Sequence, residues 1–175
     1  MIIFEETFRN EAIFDIAKKI ATAARTAPKA RGTDNMTIAV ITGDTLESIA
    51  QAMHQYSEKH DVAFFARDAE NLRQSSAAVL IGSKVSCLGL NCGYCGFATC
   101  AEKAKYAEVP CFFNANDMGI AIGSAVALAA NLRVDNRVMF SVGKMAKDMN
   151  LLPGCSIVLA IPLSVSGKSP FFDRK

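Results

Sequence analysis

The order of patterns along the chain predicts an α+β (α/β) fold: one domain over residues 1–175, built as a sandwich of a small mixed sheet with helices. Three observations predict it. Short β-branched runs alternate with longer segments of helical period. At 175 residues, 51% of them hydrophobic and 21% charged, the chain can bury a core without staples. No internal repeat, low-complexity tract or linker divides it.

The elements follow in order. Phe8, Ala12, Ile13, Ile16, Ala17, Ile20, Ala21 and Ala24 recur at helical spacing while Lys18 and Lys19 face water, which predicts an amphipathic helix over 8–25. TAPKARGTDN, 26–35, collects Pro, Gly, Asp and Asn and reads as a loop, and TIAVIT, 37–42, as a strand. Asp44 with Glu47 is a start signature of the capping-box kind for a helix running to His60. DVAFFA, 61–66, reads as a strand, AENLRQ as a short helix, and SAAVLIG, 76–82, as a buried strand. AEKAKYAE is helix-prone and VPCFFN extended, after which Asn116 or Asp117 caps an apolar helix to Leu132. Asn136 to Met149 reads as a further helix and CSIVLAIPL, 155–163, as the last strand.

Composition and charge exclude several classes. A net charge of +2 gives no electrostatic footprint for nucleic acid. MIIFEETFRNE has three carboxylates and no sustained apolar stretch, so it does not read as a secretory signal. The uncharged run Met118–Leu132 is shorter than the roughly 20 residues a helix needs to span a bilayer. The expectation is a cytoplasmic protein with no membrane span. There is no G-x-G-x-x-G, no P-loop lysine pattern and no G-x-S-x-G elbow.

The chemistry concentrates in CLGLNCGYCGFATC, 87–100, which holds Cys87, Cys92, Cys95 and Cys100, with Cys111 shortly after. In a reducing compartment, clustered thiols are metal ligands or redox groups rather than a disulfide framework. A C-x(2)-C step offers two thiolates from one tight turn, and more distant cysteines close the site. Gly93 and Gly96 follow two of the cysteines and admit unusual backbone angles and close approach of N–H groups to sulfur. No charged residue occurs from Val85 through Ala101, and Leu88, Leu90, Tyr94 and Phe97 are placed to shield the site. Four thiolates also satisfy tetrahedral zinc, so iron-sulfur and structural zinc both stand at this point. Zinc ribbons, however, usually pair two C-x(2)-C knuckles, and this chain has one.

NCGYCGFATCAEKA resembles the NCGxCGxxxC segment of 4Fe-4S domains in electron-transfer subunits and corrinoid iron-sulfur proteins. The resemblance implies a 4Fe-4S cluster on Cys92, Cys95, Cys100 and Cys111, with Cys87 the alternate fourth ligand, in a segment spanning 83–113. Together with DMGIAIGSAVALAA and VDNRVMFSVGKMA, the chain resembles a prokaryotic family of uncharacterised proteins containing a ferredoxin domain. The flanks AARTAPKARGTDN, NDMGIAIGSAVALAA and IPLSVSGKSPFFDRK resemble nitroreductase-like proteins, which implies an α+β sandwich, a homodimer and FMN. The Arg-x-Ser-Arg phosphate motif of those proteins is missing, as is any Trp of an Asn-x-Gln-Pro-Trp stretch.

Arg25, Lys29 and Arg31, with Gly32, form a basic loop that suits either solvent or a cofactor phosphate, and the nitroreductase resemblance places Arg174 as a further phosphate contact. His54 and His60 sit on or just after a polar helix face and read as having no metal or catalytic role. Cys155 opens an apolar strand and reads as a small buried hydrophobe. The reading is a 4Fe-4S protein in electron transfer, exchanging electrons with a redox partner protein or a flavin. The alternatives are a structural metal-binding module and an FMN-dependent reductase.

Overall fold

The computed structural model describes residues 1–172, so Arg174 lies outside the described residues. Its elements are α1 (Glu5–Thr26), β1 (Met36–Ile41), α2 (Asp44–His60), α3 (Ala63–Arg73), β2 (Ala77–Lys84), α4 (Cys100–Lys103), α5 (Phe112–Asn131), β3 (Asp135–Asn136), α6 (Phe140–Asp148) and β4 (Cys155–Ser164). The four strands form one sheet in the order β1-β2-β4-β3, every pairing antiparallel. The fold is the expected α+β sandwich, with an antiparallel sheet where a mixed one was expected. The helical excursions return each strand beside its neighbour in the opposite direction.

Strand β2 is buried on both faces and divides the core by its two-residue period. Ala78 and Leu80 pack with Leu46, Ile49, Met53, Phe65, Leu72 and Val142 under α2, α3 and α6. Val79 and Ile81 pack with Ile13, Ile20, Met118 and Ala125 under α1 and α5. Gly143 of α6 lies so close to β4 that a Cβ there would stand 2.1 Å from the Val158 carbonyl oxygen. Cys155 sits in the first of these cores, as expected.

Several elements differ from the sequence expectation. DVAFFA is not a strand: AFFARDAENLR is one helix burying Phe65, Asp68, Ala69 and Leu72 at helical spacing. Asp68 is satisfied there by the Ser141 hydroxyl, which donates to it at 2.6 Å. Asp44 does begin a helix, but the cap residue is Gly43 (φ 55°) and no side-chain capping bond forms; Glu47 instead accepts from Arg73 at 3.0 Å. The segment Asn136–Met139 stays extended because Met139 and Ala160 exchange backbone bonds at 2.8 and 3.1 Å, so α6 starts only at Phe140. AEKAKYAE contributes just the end of the short α4. VPCFFN is extended only up to Cys111, where α5 begins, and neither Asn116 nor Asp117 is its cap. His54 is paired with Glu70 at 2.8 Å. No described helix is long and apolar enough to cross a membrane.

Candidate metal centre

The cysteine segment leaves β2, the central strand, and returns at the start of α5. Gly93 and Gly96 both adopt positive φ, 74° and 86°, and the Gly96 N–H closes a turn on the Gly93 carbonyl at 2.9 Å, with Cys95 inside it. Neither glycine has an atom where a Cβ would project, so glycine serves backbone conformation here and not close packing. Asn91, also at positive φ (48°), is bonded reciprocally to Cys100. Its Oδ1 accepts the Cys100 N–H at 2.8 Å, and its own N–H donates to Cys100 Sγ at 3.3 Å. Thr99 caps α4 by accepting the Glu102 N–H at 3.1 Å, while Glu102 accepts the Ala98 N–H at 3.2 Å.

Cys111 is the cap residue of α5. Its sulfur accepts the Asn114 backbone N–H, and Asn114 Oδ1 accepts the Cys111 N–H at 3.0 Å. The same Oδ1 accepts the Ser86 N–H at 3.1 Å. One buried amide oxygen thus ties the exit of β2 to the entry of α5. That clamp brings Cys111 to the thiols of the preceding loop.

All five cysteines named from the sequence, Cys87, Cys92, Cys95, Cys100 and Cys111, line one small cavity, and all are free thiols. Leu88, Leu90 and Phe97 join the lining, as expected. Tyr94 does not: it is 69% exposed and stacks edge-on against Phe112 at 5.2 Å. The N–H groups that reach sulfur come from Asn91 and Asn114 and not from the glycines. Among the described residues, no three Cys, His, Asp or Glu side chains meet at a common point for a single ion. The donor set is cysteine sulfur throughout, with N–H groups already on two sulfurs, and that chemistry fits an iron-sulfur cluster.

Sequence reasoning missed Asn91, Asn114 and Lys103. Thr99 and Glu102 carried a legible signal, the T-x-x-E pattern of a capping box.

The basic loop is tied inward. Arg25 pairs with Asp34 at 2.6 Å and donates to the Met36 carbonyl at 3.0 Å. Burial acts to raise the Asp34 carboxyl, but the bonds from Arg25 and the Met36 N–H outweigh it and hold the group below its ordinary value. Lys29 donates to the Arg25 and Ala27 carbonyls at 2.6 and 2.8 Å. Arg31 (φ 56°) reaches across to the Leu88 carbonyl of the cysteine segment.

A family model described as an uncharacterised protein containing a ferredoxin domain matches residues 107–174. An uncharacterised protein of Archaeoglobus fulgidus is 40% identical over 182 residues, covering 99% of this chain and 98% of its own. The chain belongs to this ferredoxin-domain family. The region matched by the model of the ferredoxin-domain family contains Cys111 but none of Cys87, Cys92, Cys95 and Cys100.

Solved structures supply the fold. A nitroreductase family protein from Clostridium novyi NT aligns with a TM-score of 0.62 at 18% identity, covering 91% of this chain and 76% of its own. Nitroreductase CinD from Lactococcus lactis, in complex with chloramphenicol, gives 0.60 at 15% identity over 98% and 86%. The FMN-dependent nitroreductase NfnB from Mycobacterium smegmatis, in complex with NADPH, gives 0.59 at 11% over 87% and 78%. This ferredoxin-domain chain therefore has a nitroreductase-like fold, and at these identities the likeness carries fold and not activity.

Proposed function

We propose that the chain holds a 4Fe-4S cluster on Cys92, Cys95, Cys100 and Cys111 and serves in one-electron transfer to a redox partner protein. The observation that carries this reading is the convergence of five thiols, from two separate stretches of chain, on one cavity. Cys111 is preferred over Cys87 as the fourth ligand. Its sulfur accepts an N–H at the start of a long helix, where negative charge is favoured, whereas the Cys87 thiol donates to the Cys100 carbonyl at 3.8 Å. When bound, such a cluster supplies a single electron at a potential set by its surroundings. Leu88, Leu90, Phe97 and Phe113 limit water at the thiols, and Asn91 and Asn114 orient two of the sulfurs.

Anaerobic purification with iron, acid-labile sulfide and zinc assayed together tests the proposal. The expected result is brown protein with iron and sulfide in near-equal amounts. Stoichiometric zinc without sulfide overturns it in favour of a structural metal module. Cys92→Ser, Cys95→Ser and Cys100→Ser are each expected to lose the colour, and Cys155→Ser to keep it.

The fold supports a second reading, an FMN-dependent reductase. The side chains that the basic loop offers to a cofactor phosphate, Arg25, Lys29 and Arg31, are held instead by protein acceptors. Release of flavin fluorescence on heating the purified protein is the result that would favour this reading. The exposed face of α5, with Gly119, Ile120, Gly123 and Ala127 and no exposed charge, supports the homodimer expectation. Light scattering in solution tests it, and a monomer mass at working concentration refutes it.

A further inference from the structure

Lys103 stands out among the buried side chains. It lies in α4, three residues after Cys100, is 2% exposed, and lines the cavity together with all five cysteines. Lysine is among the residues least often fully buried, and its ammonium is costly to hold away from water without an opposite charge. None of the ion pairs among the described residues includes it. Glu102, its neighbour in sequence, is turned back to the Ala98 N–H. The groups sharing the cavity with Lys103 are thiols, two short polar side chains and apolar side chains.

We infer that the Lys103 ammonium is the counter-charge of the thiolate site and holds the reduced form of the cluster in preference to the oxidised one. This rests on the cluster reading above. Four thiolates around a 4Fe-4S core make a dianion when oxidised and a trianion when reduced. The added electron therefore places one more negative charge beside a fixed cation in a partly enclosed cavity, where the attraction is less screened than in open water. No bond is made or broken, and in the assay the electron comes from dithionite. The placement of Lys103 on the helix that carries Cys100 keeps the cation at the site.

The test uses anaerobically purified full-length protein, Lys103→Met and Lys103→Arg. Iron and sulfide are measured first on the parent. A parent without them refutes the cluster reading itself, whatever Lys103 does. With the parent loaded, Lys103→Met keeps the side chain's length and removes its charge. If this variant retains the cluster, its midpoint potential decides, read by dithionite titration with electron paramagnetic resonance of the reduced form. The expected result is a fall in potential equivalent to at least a tenfold change in the reduced-to-oxidised ratio, about 59 mV for one electron. A smaller fall, or a rise, overturns the inference. If Lys103→Met does not retain the cluster, Lys103→Arg decides: retention there supports a requirement for charge, and loss in both variants overturns it by showing a role in shape alone. Far-ultraviolet circular dichroism of the apo forms checks that the variants are folded.

Discussion

Asn114→Leu tests whether a single amide oxygen assembles the site. Asn114 is 3% exposed and accepts two backbone N–H groups, from Ser86 at 3.1 Å and from Cys111 at 3.0 Å. Leucine has a similar volume and no acceptor, so both N–H groups lose their partner without a large cavity forming. The Cys111 N–H is buried, and leaving it unpaired costs about 1–3 kcal/mol. The Ser86 bond is part-buried and water can replace some of it, so its loss costs roughly 0.5–1.5 kcal/mol. The sum, about 1.5–4.5 kcal/mol, is a large share of ordinary domain stability. Urea denaturation of the apo protein reads this cost, and cluster content after reconstitution reads the separation of Cys111 from the loop cysteines. Asn114→Asp restores an acceptor near the start of α5, where a carboxylate is favoured, and is expected to stay within about 1 kcal/mol of the parent. A loss below about 1 kcal/mol in Asn114→Leu with the cluster retained, or equal damage in both variants, refutes the clamp.

Three further outcomes are expected. Cys111→Ala loses the intact cluster while Cys87→Ala keeps it, followed by visible absorbance and iron content; the reverse result moves the fourth ligand upstream. Chelation of iron leaves most of the far-ultraviolet circular dichroism in place, because the cores on the two faces of the sheet are built from helices and strands outside the cysteine loop; collapse of the spectrum would mark the metal as structural. Gly143→Ala destabilises by about 1–3 kcal/mol or more in urea, since a Cβ would meet the Val158 carbonyl oxygen at 2.1 Å and α6 must move off β4; an unchanged midpoint would refute that packing argument.

The sequence alone determined the α+β class, the long amphipathic helix, the central strand and the cysteine loop with its positive-φ glycines, because each rests on a local pattern: a 3.6-residue or two-residue period, or glycine beside cysteine. Short apolar runs were less legible. DVAFFA satisfies strand propensity, and only the packing of Phe65, Asp68 and Leu72 on one face under the sheet makes it helix. The start of α5 was hidden because its capping group is a cysteine, not one of the usual cap residues. The meeting of Cys111 with the loop thiols was decided by tertiary structure, through the Asn114 oxygen that joins two segments distant in sequence. So was the burial of Lys103: whether an ammonium faces water or a thiol cavity depends on which surfaces close around the helix that carries it, and no local period encodes that closure.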